Sequence, residues 1–500
     1  MINKNFKKYI FSTLLAFSLS GTFMLTTTVN AQVSVISDTT VEEFDSTLST
    51  SKWHPEGYYG FNKPTVTTGK LSVTCDGSTF QADGVTLSAT SYGYRTYSTS
   101  LTLQPNTPYV MSGYVRATDV TINPNHIKDG RSPFGFSIRD DDYGDSSNQK
   151  TKTTLLLNSE TNSTDGWKKL DFHFISNSSG NTILECHLGS FYCDAKGTVE
   201  FAGVTLKEDS SYRKVSFSNF AAAVPVSQLE KYSVSDVALD NWGAKLNDAA
   251  QKLQQLTGKV RGVTQCYFHN NQSLDNDYGE PYACAGAPCH FRTDASDDTM
   301  KTAPNQDAVV HGQLHEISHT FNTDYNRVWN FNDEIFTNVR ATYAVVENNT
   351  KVVCLPNIVP YQGIKYKDFY DDAWKNYITP TEDKTTHEMV YPYSKGYELF
   401  AMADVYLRMV YGDASDNLPA LGWGVFTEFF TNGASYNPTN KIQLNPNLNY
   451  SDDFKVFTNS LNIIGQIAGK NPYEIARYIP NAMYWNWLNN PSQYPFVPIN

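Results

Sequence analysis

Between about residues 35 and 207, apolar and polar positions alternate in short runs. KLSVTC, GVTLSA, TPYVMSGYVRA, FGFSIR, KTTLLLN, KKLDFHFIS, NTILECHLG and TVEFAGVTL follow one another, separated by turn clusters such as PNTP, DDDYGDSSN and SNSSGN. A two-residue period sends successive side chains to opposite faces, so each run predicts a half-buried strand. Many short strands with polar turns and no helical period predict an all-β sandwich or jelly roll. The period changes near 208–214. Trp242, Leu246, Ala249, Leu253 and Leu256 recur at helical spacing and Gly258 stops them, which predicts an amphipathic helix. Further helices are predicted over 304–321, from Asn332, over SKGYELFAMADVYLRMVYG, and over DDFKVFTNSLNIIGQIAG and NPYEIARYIPNAMYWNWL. The chain is therefore expected to be multidomain: a sandwich over 35–207, a linker and domain entry over 208–235, and a mainly helical α+β domain over 236–500.

The first residues stand outside that pattern. Lys4, Lys7 and Lys8 precede an apolar stretch that ends in small residues at VNA. This predicts a secretory leader over 1–31, cut after Ala31. Ser, Thr and Gly interrupt the stretch, which disfavours a membrane anchor, and no later segment is apolar for long enough to span a bilayer. The expected protein is secreted, extracellular and without a stable membrane anchor. Its formal charge is −12, and loss of three lysines and no acid takes it to −15. Nucleic-acid partners need basic surface, so that class is excluded. The 32 tyrosines and 8 tryptophans suit stacking on sugar rings as well as core packing. Export permits disulfides among the seven cysteines, and short spacing makes Cys186 with Cys193, and Cys284 with Cys289, local candidates.

One short motif carries specific chemistry. In HGQLHEISHTFN, His315 and His319 stand four residues apart. On a helix that spacing puts both imidazoles on one face, where they can share a zinc ion. Glu316 lies one residue along, beside the metal rather than on it, placed to take a proton from the attacking water. Val309, Val310, Leu314, Ile317 and Phe321 are expected to fill the helix's buried flanks. A third ligand is needed. Asn322 and Tyr325 stand where the metzincin pattern has Gly and His, so that route fails. The next helix offers Glu334 in WNFNDEIFTNVRATYAVV, with Asn332 as its N-cap and Asp333 as the competing carboxylate. Asn338 follows one turn later, and its side-chain carbonyl can accept a hydrogen bond from a ligand imidazole.

GQLHEISHTFN followed by WNFNDEIFTNV resembles the enhancin-like gluzincin metallopeptidases, which include viral mucin-degrading enhancins and secreted bacterial peptidases that cleave mucin-type glycoproteins. YACAGAPCHF loosely resembles a segment those enzymes carry upstream of the zinc helix. The resemblance spans about 220–430. It implies one zinc ion per chain on His315, His319 and Glu334, with Glu316 as general base and Asn338 orienting a ligand histidine. It also implies a mucin or other glycoprotein substrate. The order LTLQPNTPYVMSGYVRA, GWKKLDFHFISNSSGNTILECHLGSF, GTVEFAGVTLKE resembles the carbohydrate-binding jelly rolls appended to secreted glycosidases. It makes Trp53, Tyr58, Tyr59 and Trp167 candidate sugar platforms, with core packing as the competing role for each.

Hydrolysis also needs a group to stabilise the tetrahedral oxyanion. His387, Tyr393 and Tyr397 in HEMVYPYSKGYELF are the candidates. His311, one turn before His315, is expected to support the site rather than to bind metal. The small-residue segment ACAGAPCHF is expected as an edge strand to which an extended substrate could pair. Two other classes compete: a catalytically inactive glycan-binding adhesin, and a glycoside hydrolase. The intact Glu316 argues against the first. The hydrolase needs two opposed carboxylates and leaves the histidine spacing unexplained.

Overall fold

The computed structural model describes residues 53–57, 65–127, 133–140, 150–152, 163–189, 193–270, 283–284, 288–322, 333–353, 360–368, 381–382, 389–390, 397–442 and 452–478. Among the described residues, ten strands lie in the N-terminal half: β1 (His54–Gly57), β2 (Thr65–Cys75), β3 (Ser78–Gly93), β4 (Arg95–Thr102), β5 (Pro108–Ile127), β6 (Phe134–Asp140), β7 (Lys150–Lys152), β8 (Lys168–Ile175), β9 (Asn181–Leu188) and β10 (Cys193–Glu208). They make two five-stranded sheets, ordered β1-β4-β9-β6-β7 and β2-β3-β10-β5-β8, with antiparallel pairing throughout. Alternation decides what goes inside. Phe134, Phe136 and Ile138 of β6, and Leu184, Cys186 and Leu188 of β9, meet Met111, Val115, Val199, Phe201 and Phe172 from the other sheet. This is the sandwich that the period-two pattern predicts.

A glycine allows the turn out of its central strand β9. Gly189 follows β9 with φ +80°, and a Cβ there would lie 2.0 Å from the carbonyl oxygen of Gly93. Gly189→Ala is expected to cost about 1–3 kcal/mol for the left-handed backbone alone, and more for the overlap. A fall in the midpoint of urea unfolding, read on the sandwich, checks this.

The second half differs from the expectation in two places. Residues 208–235, expected as a linker and domain entry, are occupied by regular elements of the second half. After Glu208 the chain runs almost directly into β11 (Tyr212–Ser216) and β12 (Phe220–Pro225), then a short helix, α1 (Val226–Lys231). These strands belong to a five-stranded mixed sheet, β11-β12-β13-β15-β14, with β13 (Thr264–Phe268), β14 (Ala283–Cys284) and β15 (Cys289–Phe291). Strand β12 is buried at every residue, FAAAVP. A strand covered on both faces loses alternation, which hides it from a period-two reading. β12 and β13 are parallel, so a crossover must join them. Helix α2 (Asp236–Thr257) supplies it, capped by Ser235 on the backbone N–H of Ala238 and ended by Gly258 at φ 66°. Its face Leu239, Trp242, Leu246, Leu253 and Leu256 is buried.

The sandwich packs directly on this sheet. Ile175 meets Tyr212, Ala221, Ala223 and Tyr267. The amide of Gln265 donates to Asn106 Oδ1 at 2.9 Å and to the carbonyl of Ser176 at 2.7 Å.

The second correction concerns residues 304–321. Helix α3 (Thr293–Thr302) is followed by a single 3-10 turn over Pro304–Gln306, and Asp307 turns the chain at φ 53°. Residues Ala308–Val310 then form strand β16, parallel to β17 (Lys351–Val353), which pairs with β18 (Pro360–Gln362). The β-branched pair Val309–Val310 finds strand partners in Val352 and Val353, and this overrides its helical spacing. Helix α4 begins only at His311 and ends at His319; α5 spans Asp333–Glu347. Helix α4 leaves β16 directly, and α5 returns to β17 through a short turn. Two neighbouring strands therefore anchor both helices and set them face to face. Helices α6 (Tyr397–Tyr411), α7 (Trp423–Asn432), α8 (Asp452–Ile467) and α9 (Pro472–Ala476) follow. Phe336 of α5 packs on Tyr406, Phe429 and Phe430.

Candidate metal centre

Helix α4 is held by its apolar side. Leu314 and Ile317 are fully buried, while His315, Glu316 and His319 are half-buried on the other side. Its C-terminal end is clamped. Arg340 of α5, 1 % exposed, donates through Nε to Ser318 Oγ and through Nη2 to the Ser318 carbonyl, each at 3.2 Å. A cation on the last carbonyls of a helix also complements its dipole. Sequence reading missed Arg340; an arginine inside the apolar run NVRATYAVV was the signal.

The histidine geometry follows. The rings of His315 and His319 meet edge to face, 4.7 Å apart, with their Nε2 atoms separated by 3.1 Å. His315 Nδ1 lies 3.1 Å from Asn338 Oδ1. An amide oxygen only accepts, so Nδ1 carries the hydrogen and the lone pair of neutral His315 sits on Nε2. Two nitrogens bound to one tetrahedral zinc at about 2.0–2.1 Å lie roughly 3.3 Å apart. The spacing of the two Nε2 atoms, and the tautomer that Asn338 selects, fit such an ion.

His311 extends the arrangement. Its Nδ1 bonds the hydroxyl of Tyr366, a fully buried residue, and its ring also bonds Asn338. Burial and then the neighbouring His315 push the His311 pKa down to about 3, so the ring is neutral in ordinary buffers. Tyr366 was not legible as part of the site, because nothing local marks a tyrosine fifty residues away in sequence.

The sequence expects a third ligand on the next helix. Glu334 is the second residue of α5, one turn before Asn338, but its side chain, like that of Asp333, lies outside the described residues. Among the described residues no group of three His, Cys, Asp or Glu side chains converges to hold a metal ion. His387, Tyr393 and the cap position Asn332 also lie outside the described residues. Tyr397 opens α6, with its side chain likewise undescribed.

Two of the sugar-platform candidates are corrected. Trp53 is 4 % exposed and stacks on Tyr97 in the sandwich core, with centroids 5.4 Å apart. Trp167 is 5 % exposed, donates its indole N–H to the Ser72 carbonyl at 3.0 Å and is covered by the Arg116 guanidinium. Neither ring offers a free face to a ligand. Tyr58 and Tyr59 lie outside the described residues.

The cysteine candidates are also revised. Cys186 points into the sandwich core and Cys193 is buried outside that cluster, both as free thiols. Cys289 neighbours Cys266 of β13, and its thiol donates to the Glu316 carbonyl at 3.7 Å.

No protein-family model matches the sequence, and no curated protein does. Among solved structures, the chain is similar to a functionally unknown conserved protein from Bacillus anthracis str. Ames, with TM-score 0.36 and 10% identity over 87% of this chain and 84% of that one. It is similar to a metallopeptidase in complex with Tn antigen, with TM-score 0.26 and 11% identity over 66% of this chain and 58% of that one. It is also similar to a xylan-binding domain from Paenibacillus barcinonensis, with TM-score 0.22 and 13% identity over 32% of this chain and 86% of that one. Likenesses this slight do not assign an activity.

Proposed function

We propose that this chain is an exported, zinc-dependent endopeptidase that hydrolyses peptide bonds in glycoproteins of the mucin type. The observation that carries the reading is the 3.1 Å convergence of His315 Nε2 and His319 Nε2, with Asn338 fixing the His315 tautomer and Glu316 next in sequence. His315, His319 and Glu334 would hold the ion. Zinc there would supply a Lewis acid for the scissile carbonyl and lower the pKa of the attacking water. Glu316 takes the proton from that water and delivers it to the leaving amine. Arg340 keeps the carboxyl end of α4 in register while this happens. Strand β14 sits at the edge of its sheet, where an extended peptide can add backbone hydrogen bonds.

The glycoprotein part of the reading rests on the resemblance of the zinc segments to mucin-cleaving peptidases and on the sandwich in front of them. Its test is an O-glycosylated mucin offered intact and after enzymatic removal of its glycans, with fragments sequenced by mass spectrometry. Cuts beside glycosylated Ser or Thr in the intact mucin alone support the proposal. Equal cutting of both forms would make the chain a peptidase indifferent to sugar. Glycan binding with no cutting would place it among adhesins.

Asn338 gives a finer check. Removing the partner of a ligand imidazole commonly weakens metal affinity about 10–100-fold. Asn338→Ala is expected to do so, read by competition with a chromophoric chelator, while Asn338→Asp keeps an acceptor and retains most of the affinity.

A further inference from the structure

Two cysteines outside the histidine cluster are arranged for chemistry of their own. Cys266 of β13 and Cys289 of β15 occupy paired positions on adjacent parallel strands. Both side chains are fully buried. Neighbouring strands run about 4.7–4.9 Å apart, inside the Cα separation of about 4.4–6.8 Å that a disulfide spans. Register also decides between partners for Cys289. Cys284 of β14 stands opposite His290, one position out of step, and the pleat alternates faces along a strand. Cys266 stands opposite Cys289 itself.

From this juxtaposition we propose that Cys266 and Cys289 form a cross-strand disulfide when the chain folds in an oxidising compartment. The inference does not depend on the peptidase reading. A disulfide donor such as oxidised glutathione is the co-reactant. One thiolate attacks it, giving a mixed disulfide and releasing one glutathione thiol. The second cysteine then displaces the other glutathione, so two protons and two electrons leave the protein and one S–S bond forms. Oxidation takes place during folding, because in the folded chain both sulfurs are sealed from solvent. The same burial then protects the bond from reductant. The bond joins the middle of the sheet to β15, whose Cys289 abuts the backbone of Glu316. It therefore staples the strand next to the zinc-motif helix and constrains the unfolded chain across residues 267–288.

The test is a thiol map of the full chain. Protein recovered after export into an oxidising compartment is alkylated in denaturant without reduction, digested and analysed by mass spectrometry, beside protein made in a reducing cytoplasm. The expected result is a linked peptide pair joining Cys266 to Cys289 in the first sample and alkylation of both in the second. The oxidised protein should also unfold several degrees higher than the same sample after reduction. Cys284→Ser keeps the linked pair. Alkylation of both Cys266 and Cys289 in the exported protein would overturn the proposal, as would a link from Cys289 to Cys284. The wild-type map decides the matter even if a Cys266→Ala variant fails to fold.

Discussion

Glu316→Gln is expected to lower peptide hydrolysis by about 10²–10⁴-fold, the range over which a positioned general base contributes, while zinc stays bound. The substitution keeps the size of the side chain and removes its basicity. Glu316 is half-buried on α4 between the two histidines whose Nε2 atoms converge, so a glutamine there leaves both imidazoles and the Asn338 contact in place. The two effects separate in one experiment: metal content by elemental analysis and cleavage rate on the same preparation. Equal zinc with a collapsed rate places Glu316 in the proton path. Loss of zinc together with activity would make it a ligand, and an unchanged rate would remove it from the chemistry.

Trp242→Ala is expected to carry the largest cost in stability, about 3–5 kcal/mol, the usual range for emptying a buried aromatic site. Trp242 is fully buried where α2 crosses the mixed sheet. It meets Phe220 of β12 and Phe268 of β13 edge to face, with centroids 6.0 Å and 5.7 Å away. Those strands run parallel and α2 is the crossover between them, so the cavity would open at the joint of the unit. Trp242→Phe should cost much less than alanine. Among the described residues the buried indole N–H has no hydrogen-bond partner, so phenylalanine gives up volume but also removes an unmet donor. Urea unfolding followed by the circular dichroism of the helical half measures both variants. A loss below about 1 kcal/mol for alanine would mean that the site collapses around the gap.

These residues also show what the sequence displayed and what it hid. Phe134, Phe136 and Ile138 alternate because one face of β6 is buried and the other is not, and the same logic exposes the face of α2 with Trp242 at its centre. The HExxH spacing is legible because four residues make about one helical turn. Strand β12 was hidden because burial on both faces erases alternation, so a stretch of small apolar residues read as a linker. Strand β16 was hidden because three residues are too few to show a period, and their parallel partner lies some forty positions away. Trp53 and Trp167 read as candidate sugar platforms because exposure is set by distant neighbours: Tyr97 for one, and Ser72 and Arg116 for the other. Arg340 and Tyr366 reach the site only through folding, one on the end of α4 and the other on His311.

The central claim is that the histidine pair on α4 holds a hydrolytic zinc ion. Its most direct test is cleavage of an O-glycosylated mucin by protein that has been stripped with chelator and then titrated with zinc. The account predicts that stripping abolishes cleavage and that one zinc per chain restores it in the wild type. In His315→Ala, zinc should neither bind at that stoichiometry nor restore activity. Cleavage that survives complete removal of metal, or a wild-type chain that takes up no zinc, would contradict it.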